Sequence, residues 1–341
     1  LACYNNPNID IIKYLIEDRK MNINFIDNYG NNCLLLACYN NRNINIIKYL
    51  IEDRKMNINS INNNGSNCLL MACYKNRNIN IIKYLIEDRK TDINSKNIRG
   101  ENCLLLSCYS NTDIKIIKYL IEDLKMNINI KNNVGLNCLL MACRNNQNID
   151  IIKYLIQDLK MDTNTKTNYG NNCLLLASSI NQNINIIKYL IENCKIDKNI
   201  KNNNGKNCLL LACKNNKNIN VIKYLIENCK VDINIKDNNG DNCLLIACRN
   251  SADIKIIKYL IEDCKIDVNS KNNMGDNCLL LTSCNNSNVN TIKYLIENCK
   301  MDVNRKNNFN NNCLLLACYN NKNIGIIKYL IEDCKIDINT K

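Results

Sequence analysis

The sequence predicts an all-α solenoid of stacked antiparallel helix pairs joined by short hairpin-like turns. Three ladders carry that expectation. Cys33, Cys68, Cys103, Cys138, Cys173, Cys208, Cys243, Cys278 and Cys313 are spaced 35 residues apart. Gly30, Gly65, Gly100, Gly135, Gly170, Gly205, Gly240 and Gly275 keep the same step, with Asn310 in the ninth place. Tyr14, Tyr49, Tyr84 and so on to Tyr329 form the third ladder. A fixed period in this size range is the mark of a repeat architecture. Complete units fill 32–311 and part-units fill 1–31 and 312–341, so 1–341 is expected to be a single array. The chain opens inside a motif, so the natural N-terminus is expected upstream of Leu1.

One unit, Asn32 to Ser66, shows why each element should form. Asn32 is a good N-cap, because its side-chain oxygen accepts an orphan N–H of the first turn. Cys33 to about Asn40 is then a short apolar helix, and Asn41 and Arg42 turn the chain. Asn43 caps a second helix over Ile44–Asp53, a position held by Asn or Asp in every copy. Ile46, Ile47, Leu50 and Ile51 give that helix a broad apolar face, while Lys48 and Glu52 are spaced to pair on its wet side. From Met56 the pattern turns extended. Asn62-Asn63-Asn64-Gly65 reads as a tight turn in which Gly65 supplies φ > 0, and Asn is the next best residue for that position. A helix this short is not stable alone in water, so each unit must bury its apolar face on the next.

These blocks resemble the ankyrin repeat. Gly30-Asn31-Asn32-Cys33-Leu34-Leu35-Leu36-Ala37-Cys38 matches the family's first block, and Ile46-Ile47-Lys48-Tyr49-Leu50-Ile51 matches the second. Asp232-Ile233-Asn234 and Asp267-Val268-Asn269 match the end of the third. The departures are a 35-residue unit, cysteine for the family's proline, leucine for its histidine, and no glycine closing the second helix. Another helix-pair solenoid, such as a tetratricopeptide-type array, is the alternative; the short first helix and the Asn-Asn-x-Gly turn argue against it. The resemblance implies a monomeric protein-binding scaffold or adaptor, with turn tips and the exposed side of the first helix forming a concave recognition surface.

Composition narrows the chemistry. The chain carries a formal charge of +13, with one proline and no histidine or tryptophan. The asparagine excess is partly what AT-rich coding would produce. No apolar run approaches the roughly 20 residues that span a bilayer, so no membrane association is expected. The 23 cysteines read as small apolar core residues, held in a reducing, intracellular and cytoplasmic setting. Cys33 and Cys38 lie on different sides of one helix, and equivalent cysteines one repeat apart are too distant for a disulfide or a shared metal. Glu52-Asp53 recurs in nearly every unit, unlike a catalytic pair, which occurs once in a special pocket. Without histidine the commonest general base is missing. No enzyme, cofactor or metal is expected.

Two surface features remain. Lysines form three ladders, through Lys48, through Lys55, and through Lys96, Lys131, Lys166, Lys201, Lys236, Lys271, Lys306 and Lys341. A ladder of this kind can track phosphates, so polyanion or nucleic-acid binding is the alternative function. The other feature is variation between copies, freest at the positions of Tyr39, Arg42, Asn45, Arg54, Ser60, Asn64 and Ser66. By the resemblance, the positions of Tyr39, Asn64 and Ser66 face a partner. The first reads Tyr4, Tyr39, Tyr74, Tyr109, Arg144, Ser179, Lys214, Arg249, Cys284, Tyr319 along the chain. The second reads Tyr29, Asn64, Arg99, Val134, Tyr169, Asn204, Asn239, Met274, Phe309. Tyrosine and arginine are the side chains that most often carry interface energy, so the partner-binding candidates are Tyr4, Tyr39, Tyr74, Tyr109, Arg144, Lys214, Arg249 and Tyr319 with Tyr29, Arg99, Tyr169, Met274 and Phe309. The Tyr49 ladder, identical in every copy, reads as packing.

Overall fold

A computed structural model describes residues 2–250, 253–285 and 288–338; Lys341, the last member of the third lysine ladder, lies outside them. The described residues contain helices and turns and no strand. They fall into two compact units, Leu1–Asn168 and Tyr169–Lys341, built on the same plan. In the first, the helices Cys33–Asn40, Cys68–Lys75, Cys103–Ser110 and Cys138–Asn145 stack in sequence. In the second, Cys173–Ile180, Cys208–Asn215, Cys243–Arg249, Cys278–Asn285 and Cys313–Asn320 do the same. Each is followed by a second helix, joined to it by a short connection.

The caps form as the residue types dictate. Asn32 Oδ1 accepts the Leu35 N–H at 2.9 Å, and Asn43 Oδ1 accepts the Asn45 N–H at 3.0 Å. Ile46, Ile47 and Leu50 are fully buried. The second helix departs from the expected regular α-helix. It is α-helical from Ile44 to Lys48 and then widens, with the Arg54 N–H reaching back five residues to Tyr49 C=O and the Met56 N–H reaching Leu50 C=O, both at 3.0 Å. Only Ile184–Glu192 stays α-helical throughout among the described copies. The helix closes one residue on: Lys55 adopts φ = +54°, as do its equivalents from Lys20 to Lys335 within a few degrees. The left-handed closure usually supplied by glycine is retained, and lysine occupies it.

Repeats are joined by asparagine side chains, so the asparagine-rich composition has a structural use at these positions. Asn76 Nδ2 donates to Cys38 C=O at 2.9 Å and Asn41 C=O at 2.7 Å in the preceding repeat, while its Oδ1 accepts the Asn78 N–H at 3.0 Å. Asn216 repeats this with Ser178, Asn181 and Asn218. At the turn tips the Asn63 N–H donates to Tyr29 C=O at 3.0 Å, and Ile98 N–H to Asn64 C=O at 3.0 Å. Glycine is needed at the tip for two reasons. Gly205 has φ = +75°, and a Cβ there would lie 2.2 Å from Asn238 Oδ1 of the next repeat. Asn310 takes the same left-handed conformation at φ = +61°.

One expectation is corrected by the packing between repeats. Lys48 and Glu52 make no ion pair with each other among the described residues. Both turn to the next repeat instead: Glu52 Oε1 accepts the Tyr84 hydroxyl at 2.7 Å, and the Lys48 ammonium lies 5.2 Å from the centre of the Tyr84 ring. The half-buried space beside a tyrosine of the next repeat suits both charges better than a fully solvated i,i+4 pair, which contributes little. The cysteines are free thiols, and several of them approach one another across repeats. Cys38 lies close enough to Cys68 for the two thiols to influence each other, as do Cys73 and Cys103, Cys108 and Cys138, and Cys213 and Cys243. The contact joins the second cysteine of one helix to the first cysteine of the next, a diagonal that comparison of like positions misses.

Candidate functional site

The first helices and the turn tips of residues 1–168 enclose a groove of about 530 Å³. Tyr4, Tyr39, Tyr74 and Tyr109 occupy equivalent positions on successive first helices, and their rings stack at centroid distances of 5.9, 5.8 and 6.0 Å with planes 18–23° apart. Leu36, Met71 and Leu106 of the same helices line it, as do the Tyr29, Asn64 and Arg99 tips. The rings are half-buried against one another, whereas Tyr29 is 71% exposed. Burial first, and then the neighbouring rings, raise the phenol pKa of Tyr39; burial and then Tyr109 and Glu101 raise that of Tyr74.

Four of the expected binding residues are thus brought into one continuous aromatic row, and Tyr29 and Arg99 line the same groove. Arg144 follows Tyr109 in the same helix position and is half-buried. Lys75 was not legible as a site residue, yet its ammonium lies 5.0 Å from the Tyr39 ring centre and 3.3 Å from the Tyr4 hydroxyl. Its position reads Asn5, Asn40, Lys75, Ser110 and Asn145 across this unit, a variation that would have marked it.

The position of Ser66 reaches the groove at Ser66 and Glu101, but with little exposed surface. Ser66, Glu101 and Leu136 are buried, because the residue after the turn glycine closes the turn. The Ser66 N–H donates to Asn62 Oδ1 at 2.9 Å, and Glu101 Oε2 accepts Asn97 Nδ2 at 2.8 Å.

In the second unit the equivalent positions are dispersed in character. Tyr169, Met274, Phe309 and Tyr319 are exposed singly. Lys214 and Arg249 line a smaller groove of about 300 Å³. Arg249 is held there by Asp241, with Nε to Oδ2 at 3.0 Å and Nη2 to Oδ1 at 3.2 Å. Lys206 pairs with buried Asp237 beside it.

The lysine ladders divide by role. Lys48, Lys83 and Lys258 lie over tyrosine rings of the next repeat. Lys55 and its equivalents close the second helix. The described members of the third ladder, from Lys96 to Lys306, are exposed on loops, and Lys236 donates to Lys271 C=O at 3.3 Å. Among the described residues no group of His, Cys, Asp or Glu side chains is arranged to hold a metal ion. No helix there is long and apolar enough to cross a membrane.

Stacked helix pairs joined by asparagine-rich turns, with a groove along the first helices that takes in several of the varying positions, define a helical repeat protein of the kind that presents a recognition surface. The family model for ankyrin repeats, three copies in length, matches residues 1–97, 69–167, 104–202, 174–272 and 253–341, and the chain belongs to that family. No curated protein matches it. Ankyrin repeats generally serve as protein–protein interaction modules, and the fold is typically non-catalytic.

Proposed function

We propose that this chain is a non-catalytic, intracellular scaffold or adaptor that binds a protein partner in the tyrosine-walled groove of residues 1–168. The Tyr4–Tyr39–Tyr74–Tyr109 stack carries the reading. Four large aromatic side chains held half-exposed in a row supply rigid contact area at low entropic cost. The unbroken 35-residue register supports one array over 1–341, as does the family match at 104–202, which spans the boundary between the compact units.

The test is capture from cytosolic lysate at physiological salt, with nuclease present, by the whole chain and by a Tyr39→Ala/Tyr74→Ala/Tyr109→Ala variant. A specific protein should be retained by the parent and fall by roughly tenfold or more in the variant, the scale of losing several interface anchors. The variant's helical circular dichroism should be unchanged. Equal retention by both chains would refute the reading. Retention of nucleic acid alone, abolished by nuclease and by salt, would favour polyanion binding through the lysines.

A further inference from the structure

We infer that the helix pair Cys278–Asn285 and Val289–Lys293 opens locally while the repeats before it stay closed. The opening makes Cys278 and Cys313 the reactive members of a cysteine ladder that is otherwise sealed.

This helix pair collects hydroxyls at places where the other repeats are apolar. The place of Ala37 holds alanine in every copy except Ser107 and Thr282. The place of Cys38 holds cysteine except at Ser178 and Ser283, and the place of Ile46 holds isoleucine or valine except at Thr291. Thr282, Ser283 and Thr291 are all 0% exposed. The Thr282 hydroxyl donates to Cys278 C=O at 2.7 Å, a back-bond that slightly destabilises a helix. The Ser283 and Thr291 hydroxyls have no hydrogen-bond partner. By contrast, the buried Ser107 hydroxyl donates to Cys73 C=O of the preceding repeat at 3.3 Å. Ser178 is the one orphan hydroxyl of its own helix pair. The cap amides of Asn172 and Asn207 also lack partners, but asparagine holds that cap in every complete repeat, so they do not set a repeat apart.

In the opened pair these hydroxyls meet water. Burying each without a partner shifts the equilibrium towards opening by about tenfold. In a linear array each repeat is held by itself and its neighbours, so the penalty is not shared along the chain. It falls on this pair and on the helix stacked upon it, Cys313–Asn320. The following residue, Asn321, ties the two together by donating from Nδ2 to Ser283 C=O at 2.7 Å. The least stable unit of a structure opens without the rest.

The thiols are the chemistry that opening delivers. Cys278 and Cys313 are 0% exposed, as are Cys103, Cys138 and Cys243 at the same place in other repeats. Equal burial protects all five alike while the array is closed, and opening alone separates them.

The test is labelling of the folded whole chain with N-ethylmaleimide, with each cysteine's rate read by mass spectrometry of its peptide. Rates are taken where they rise in proportion to reagent, so that they report the opening equilibrium. Cys278 and Cys313 should label at least about tenfold faster than Cys103, Cys138 and Cys243. Ser283→Ala/Thr291→Val removes the two orphan hydroxyls at nearly constant volume. It should slow Cys278 and Cys313 by about tenfold or more and leave the other three unchanged. Cys248→Ser/Ile256→Thr places two hydroxyls at the same positions one repeat earlier and should speed Cys243. Cys313 lies in the last repeat described, so Cys278 decides. A Cys278 rate equal to that of Cys243, or one that the Ser283→Ala/Thr291→Val variant leaves unchanged, would overturn the inference. Hydrogen exchange, which needs no label, should rank the helix Cys278–Asn285 as faster than Cys243–Arg249. Slow exchange there beside fast labelling would mean that the reagent forces the opening, and the inference would fall.

Discussion

At the scale of the residue, the least obvious feature is lysine in a conformation that favours glycine. The sequence shows that the glycine expected after the second helix is missing. It does not show that the left-handed closure survives with Lys55 at φ = +54°. For an L-residue that conformation costs roughly 1–2 kcal/mol, partly offset by a cation beside the carbonyl end of a helix. Lys55→Gly should therefore raise stability by roughly 0.5–1 kcal/mol, since glycine removes the strain but adds unfolded-state entropy. A rise in the urea midpoint is expected; a fall would mean the charge outweighs the strain. Asparagine carries the opposite lesson. Asn76 and Asn45 look alike in a sequence so rich in asparagine, yet Asn76 is 1% exposed and bridges two carbonyls, while Asn45 is exposed. Asn76→Ala should cost roughly 2–4 kcal/mol, because two buried acceptors lose their donor. Asn45→Ala should stay within about 0.5 kcal/mol, and equal effects in chemical denaturation would contradict the bridging role.

At the scale of the element, each helix pair is stable only through its neighbour. Tyr14 and Tyr49 occupy equivalent positions, but Tyr14 is 52% exposed and Tyr49 is 4% exposed, because only Tyr49 has a preceding repeat described against it. The thiol pairs lie in the same interfaces. Where Ser178 stands in the place of the second cysteine, its hydroxyl is fully buried without a hydrogen-bond partner. The next repeat's Cys208 thiol is pushed up to about 12, chiefly by burial. Ser178→Cys should stabilise the second unit by roughly 1–2 kcal/mol, by removing an unsatisfied hydroxyl and restoring a soft, apolar contact. A lower melting temperature for the variant would show that the serine is satisfied in solution. The cysteine period was plain in the sequence. The diagonal pairing was not, because a period compares like positions while the contact joins unlike ones, Cys38 to Cys68.

At the scale of the whole molecule, one hydrogen-bonded pair recurs from repeat to repeat. Tyr49, Tyr84, Tyr119 and Tyr154 donate their hydroxyls to Glu17, Glu52, Glu87 and Glu122, and Tyr224 to Tyr329 continue with Glu192 to Glu297. Burial first, and then the bonded glutamate, lift the Tyr49 phenol to about 12 and raise its equivalents in the same direction. A pKa higher in the folded than in the unfolded state means the stabilisation is fully present below the unfolded value near 10. It is lost as pH rises through the folded value. The urea midpoint should thus be flat from neutral pH to about 9.5 and fall steeply between about 10 and 12, with tyrosinate absorbance appearing alongside loss of helix. Ionisation of these tyrosines well below the unfolding transition would contradict the pairing.

The sequence by itself determined the period, the helix pair, the caps at Asn32 and Asn43, the turn at Gly65 and the positions free to vary. Those follow from local propensity and spacing, which act within one unit. The tertiary structure decided what each polar side chain does, because the partners lie in the neighbouring unit, at separations the period does not reveal. It sent Glu52 and Lys48 to Tyr84, turned Asn76 into a bridge, buried the position of Ser66, and tied Arg249 to Asp241. It also brought Tyr4, Tyr39, Tyr74 and Tyr109 into ring contact. Identical spacing along the chain permits that row, and only the close approach of successive first helices makes it one surface.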